Sequence, residues 1–117
     1  MKIDQVWYYY LPKPQGWMQT PWKTDVVIEH ENDPSNIEYV INKLIEGCAP
    51  LKICFFYPGE EDEDDALYRI SEIIKNQNKC YYGTYLIMFG FLNEDENMVY
   101  WPAYEIEPNG NIIEINL

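Results

Sequence analysis

Six carboxylates in succession, Glu60, Glu61, Asp62, Glu63, Asp64 and Asp65, follow a Pro58-Gly59 turn and precede a helical pattern that begins at Ala66. Oxygen donors at this density suit three kinds of chemistry: ligation of a hard cation, acid and base catalysis, or a field that draws in a basic partner. Calcium ligation fails on spacing, because Asp62, Asp64 and Asp65 do not reproduce an Asp-x-Asp-x-Asp-Gly loop and no histidine alternates with them. Paired-carboxylate hydrolysis needs two acids in contrasting environments, one of them apolar, and a solvated run offers no contrast. The sequence therefore assigns no metal, no cofactor and no catalytic residue. An ordinary structural duty remains for part of the run, with Asp64 or Asp65 as the helix N-cap and the first-turn acids facing the positive end of the helix dipole. That effect fades within one turn, which leaves Glu60 and Glu61 without a helical role and gives the block as a whole the character of an interaction surface.

Other reactive side chains are few. His30 stands between Glu29 and Glu31 and has no nucleophile to serve. Cys48, Cys54 and Cys80 are an odd number with no close pair or zinc-type spacing, which predicts free thiols in a reducing compartment. Cys54 falls within an apolar strand pattern and reads as a core thiol. No glycine-rich phosphate cradle, nucleophile elbow or zinc box occurs.

With 117 residues the chain makes a single domain, residues 1–117, and its 47% hydrophobic and 16% aromatic content supports a packed core. A net charge of −12 opposes binding to a phosphate backbone or an anionic membrane and favours a basic protein. Met1-Lys2 leads into a mixed, strand-like segment with no apolar h-region, and no apolar run approaches the length of a membrane span. A cytoplasmic protein is expected.

The elements that must position these groups follow from periodicity. Residues 3–11 are rich in Val, Trp and Tyr and read as a strand ending at Pro12; residues 13–23 form a loop whose Trp17 and Trp22 either close over a sheet face or stand out as a platform. A short strand over 25–29 precedes a helix capped by Asp33, with Pro34 at its first position. Ile37, Val40, Ile41, Leu44 and Ile45 make its apolar face, and Gly47 its stop. Residues 51–57 are nearly continuously apolar and predict a strand covered on both faces. A second helix carries Leu67, Ile70, Ile73 and Ile74 inward, and a strand over 82–92 follows. The 93–97 loop leads into 98–106, where Pro102 marks an edge or a bulge; an open edge there could pair with another chain, so both monomer and dimer are admitted. Asn109-Gly110 turns the chain into a last strand with Ile113, Ile115 and Leu117 on one face.

The strand-helix-strand-helix-strand order predicts an α/β domain, with α+β as the variant: one mixed sheet of about six strands, two helices, parallel central strands and a C-terminal antiparallel hairpin. Three loops then leave one sheet edge, carrying Glu29, Glu31 and Asp33, the six acids from Glu60 to Asp65, and Glu94, Asp95 and Glu96. Lys43, Lys52, Lys75 and Lys79 are expected at the opposite edge. Tyr57 and Tyr68 beside the acid run, with Tyr100 and Trp101 on the edge-type strand, are the candidate anchors of a partner.

An acidic α/β domain with a carboxylate loop, Glu60 to Asp65, and flanking Tyr57 and Tyr68 resembles the immunity proteins of bacterial toxin systems, including those of contact-dependent growth inhibition. The likeness is one of character across the whole chain. It implies a non-enzymatic toxin inhibitor, an antitoxin that covers a basic cognate toxin domain, often a nuclease. A phage-type nucleic-acid mimic acting on a DNA-binding defence protein, and a small enzyme with an unrecognised carboxylate pair, are the competing expectations.

Overall fold

The computed structural model describes residues 5–10, 22–47, 49–57, 62–78 and 83–116. Among them the chain runs β1 (Gln5–Tyr10), β2 (Trp22–Glu31), a 3₁₀ turn (Pro34–Asn36), α1 (Ile37–Gly47), β3 (Leu51–Phe56), α2 (Glu63–Gln77), β4 (Thr84–Phe89), β5 (Phe91–Asn93), β6 (Met98–Tyr100), β7 (Ala103–Ile106) and β8 (Ile112–Ile115). Six strands form one mixed sheet in the order β1-β2-β3-β4-β7-β8. Its centre is parallel, β2 with β3 and β3 with β4, while β1, β7 and β8 pair antiparallel to their neighbours. The α/β fold with parallel central strands is thus the one expected from the order of elements.

Register places Val27, Cys54, Phe56, Tyr85, Ile87, Phe89 and Ile106 on one sheet face, where they form a single core with Ile37, Val40, Ile41, Leu44 and Ile45 of α1 and Ala66, Leu67, Ile70 and Ile74 of α2. Both helices therefore lie on the same side, as two successive crossovers advancing in one direction require. The expectation that β3 is covered on both faces holds fully on one: Lys52, Cys54 and Phe56 are buried under the helices, whereas Leu51, Ile53 and Phe55 on the other face are half-buried.

The segment over 98–106 is not one edge strand. Gly90 and the Trp101-Pro102 pair interrupt the pairing on both sides, so β5 and β6 form a separate two-stranded ribbon, while β7 lies inside the main sheet between β4 and β8. The Pro102 carbonyl accepts from Phe89 N at 3.0 Å, but proline has no N–H to return the bond to Phe89, so the β4–β7 ladder stops there. The sheet edge on this side is β8. The closing hairpin turns at Gly110, whose φ of 90° is tolerated because it has no Cβ. The helix expected at Pro34 begins instead as the 3₁₀ turn, and α1 proper starts at Ile37. The loop over 13–21, with Trp17, Cys48 and Cys80, Lys79 and Leu117 lie outside the described residues, and Trp22 opens β2.

Candidate functional site

The site is built where the parallel strands end. Tyr57 N donates to Glu31 O at 2.9 Å and Gly90 N to Phe56 O at 2.9 Å, so β2, β3 and β4 finish together and the segments that follow them leave from one edge. The first of these carries Glu31 and Asp33, the second Asp62 to Asp65, and the third the β5–β6 ribbon with Glu94, Asp95 and Glu96 in its turn. Glu60 and Glu61 lie outside the described residues.

Local chemistry explains much of the acid run. Asp62, not Asp64 or Asp65, is the N-cap of α2: its carboxylate accepts from Asp64 N at 2.8 Å and Asp65 N at 3.1 Å. An extended residue must precede the first helical turn to aim its side chain back at those donors, and Asp62 has that conformation. Glu63, in the first turn, accepts a hydrogen bond from the Tyr104 hydroxyl of β7. Burial, then that bond, then the charges of Glu63, Glu114 and Asp64 hold the Tyr104 phenol well above its usual range. Asp64, Asp65 and Tyr68 are exposed on the outer side of the helix.

The first loop is tied in the same way. Glu31 Oε1 accepts from Asp33 N at 2.8 Å, and Asp33 Oδ1 accepts from Ser35 N at 3.0 Å and Ser35 Oγ at 2.8 Å. Hydrogen bonds from the Ser35 hydroxyl and N–H hold the Asp33 carboxyl below its ordinary value. Glu29 does not belong to the acidic edge: it points under α1, is buried, and forms an ion pair with Lys43 at 2.8 Å. The expected basic pole is corrected in two of its members, while Lys75 is exposed in the last turn of α2. Lys43 is committed to Glu29, and Lys52 is buried on the helix face with its ammonium 4.4 Å from the centre of the Tyr85 ring, where desolvation lowers its pKa.

Aromatic side chains gather beside the acids. The Tyr57 and Trp101 rings meet edge to face at 5.5 Å, Trp101 meets Phe55 at 5.9 Å, and Phe55 stacks on His30 at 4.8 Å. A Cβ on Gly90 would lie 2.7 Å from Trp101 and 2.8 Å from Tyr57, so a glycine there is what lets the two rings close over the backbone. The ribbon adds Leu92, Met98, Val99 and Tyr100, all about half-exposed or more, with Tyr100 stacked on Phe91 at 5.6 Å. Tyr57, Tyr100 and Trp101 thus belong to one neighbourhood. The contributions of His30, Phe55 and the ribbon were hidden in the sequence, because a two-stranded excursion has the same alternation as a strand of the main sheet. Tyr39, exposed on α1 with the Lys43 ammonium 5.2 Å from its ring, was equally unmarked.

No group of three or more metal-ligating side chains forms among the described residues, and none of their helices is long and apolar enough to cross a membrane. No family model and no curated protein matches the chain. Among solved structures, the crystal structure of the central domain of yeast acetyl-CoA carboxylase matches 88% of this chain with a TM-score of 0.52 and 18% identity. This chain spans 16% of that one, and the likeness is one of fold.

Proposed function

We propose that this domain is a non-enzymatic inhibitor of the immunity type, a cytoplasmic protein that neutralises a basic cognate toxin domain by docking it on the carboxyl edge of the sheet. The observation that carries this reading is the shared exit of the loops after β2 and β3, with Glu31, Asp33 and Asp62 to Asp65 on them, beside the Tyr57–Trp101 cluster and the half-exposed ribbon. Carboxylates of one sign speed the encounter with a basic surface, and the half-buried aromatic and apolar side chains supply desolvated contact once it is made. The buried thiol of Cys54 suits a reducing compartment.

The test is a stopped-flow comparison against a basic toxin domain sought in the reading frames beside this protein's gene. The variant Asp64→Lys, Asp65→Lys changes the formal charge by four units on the exposed side of α2 and spares the cap. At low ionic strength its association rate should fall about tenfold or more, with dissociation little changed. Equal association rates for parent and variant would overturn the steering role. Binding to several unrelated DNA-binding proteins, each lost steeply with salt, would overturn it in favour of nucleic-acid mimicry.

A further inference from the structure

The strand β8 ends the sheet, and among the described residues it has a strand neighbour, β7, on one side alone. Its hairpin fixes which backbone groups face outward. Glu107 N donates to Asn111 O at 2.9 Å, which sets Glu107 opposite Asn111 at a hydrogen-bonding position of the ladder, while Asn111 N turns to Asn109 Oδ1 at the hairpin's end. Pairs alternate along an antiparallel ladder, and the register Ile106↔Ile112, Glu105↔Ile113, Tyr104↔Glu114, Ala103↔Ile115 follows. Ile113 and Ile115 therefore bond back to β7, while Ile112 and Glu114 turn their N–H and C=O groups away from it.

This edge lacks the devices that usually keep a strand from recruiting another. It has no proline, lysine or bulge, and Ile112, Ile113 and Glu114 are exposed. Within the strand the charge is that of Glu114, and Lys75 of α2 adjoins the hairpin at Gly110. Glu114 stands opposite Tyr104, whose hydroxyl donates to Glu63, and Asp64 is near enough to act on the same phenol. The start of the acid-run helix therefore adjoins the free edge. At the end of β8, Glu114, Ile115 and Asn116 face Tyr100, Trp101 and Pro102 across a hollow of about 360 Å³. A lining that includes a glutamate, a tyrosine and a tryptophan has the residue types that receive a guanidinium.

We infer that β8 is a β-augmentation site: its free edge accepts an extended basic segment of a partner protein as a seventh strand, with an arginine or lysine opposite Glu114 and apolar residues over Ile113 and Ile115. The outward amide and carbonyl groups select a polypeptide, since a phosphate backbone offers no donors and is repelled. A second copy of this chain is disfavoured because it brings the same −12 charge and sets Glu114 near its own counterpart. The inference rests on the basic-partner reading and names the backbone contact within it.

The probe is an acetylated, amidated hexapeptide alternating valine and arginine, long enough to span the four residues of β8. It is titrated calorimetrically while amide exchange is followed by NMR. The Ile112 and Glu114 amides, fast in the free protein, should slow at least tenfold on saturation, whereas Ile113 and Ile115 should change little. The same peptide with N-methylated backbone nitrogens should bind at least tenfold more weakly despite its identical charge, as should the parent peptide to Glu114→Lys. Equal binding of the N-methylated peptide, or protection that spares Ile112 and Glu114, would overturn the proposal. Protection of these amides without peptide, accompanied by a dimer in sedimentation, would overturn it in favour of a second copy. A toxin domain that binds the parent and Glu114→Lys equally would overturn the edge-strand contact and leave the acidic-edge reading standing. A toxin domain that ignores the parent would overturn that reading, with the peptide result scored separately.

Discussion

Replacing Asp62 separates the structural duty of the acid run from its electrostatic one. The Asp62 carboxylate receives two backbone N–H groups, from Asp64 at 2.8 Å and Asp65 at 3.1 Å, that have no helical acceptor. Asp62→Ala removes both bonds and should cost about 1 kcal/mol. The carboxylate also gains roughly 0.3 to 1 kcal/mol from the helix dipole. That gain is offset by repulsion from Glu63, Asp64 and Asp65 in the next turn. Asp62→Ser keeps an acceptor at the cap and loses the same charge, so it should stay within about 0.5 kcal/mol of the parent. At about 2.1 cal/mol/K per residue, 117 residues have an unfolding entropy near 0.25 kcal/mol/K, and the alanine variant should melt about 4 °C lower. Circular dichroism melts with urea titrations read this directly. The two variants should lose the same part of the association rate with a basic partner. Equal destabilisation by serine and alanine would refute the cap, and a rate loss confined to the alanine variant would refute charge steering at this position.

Two further outcomes test the interior. Lys43→Met leaves the 1%-exposed side chain of Glu29 without its cation and should cost about 3 to 5 kcal/mol in urea unfolding, while the double change with Glu29→Leu should recover most of it; a single-variant cost below about 1 kcal/mol would mean the pair behaves as a surface contact. In an alkaline titration followed by tyrosinate absorbance, Tyr85, which burial pushes up to about 12, and Tyr104 should ionise late. The unfolded chain then releases the Tyr85 proton first, so stability should fall as pH rises from about 10 towards 12; one step near pH 10 for all eleven tyrosines would contradict this.

The order of strands and helices was legible because long apolar periodicities alternate cleanly, and the parallel centre follows from crossover geometry once that order is known. The details that failed are ones that period alone does not encode. Glu29 lies on the same face as Val27 by strand alternation, but its burial depends on Lys43, fourteen positions away on another element. Six acids in a row offer several equivalent caps, and only the backbone conformation of Asp62 selects one. The ribbon was concealed because Gly90 and Pro102 interrupt the pairing without interrupting the apolar pattern.

These corrections change the argument for docking without removing its basis. A carboxylate used as a cap or turn acceptor still presents its charge to solvent, and it is held in place by bonds to its own backbone. Asp33, Asp62 and Glu31 are fixed in this way, and Glu63 is fixed by Tyr104. Ordering a free side chain at an interface costs about 0.5 to 1.5 kcal/mol, and a side chain already ordered by the fold avoids most of that cost. The acids with structural duties are therefore suited to set the register of a basic partner, whereas the exposed Asp64 and Asp65 contribute mainly field. Substitutions should divide accordingly: loss of a fixed acid should raise the dissociation rate in addition to slowing association through its lost charge, and loss of an exposed one should lower the association rate alone.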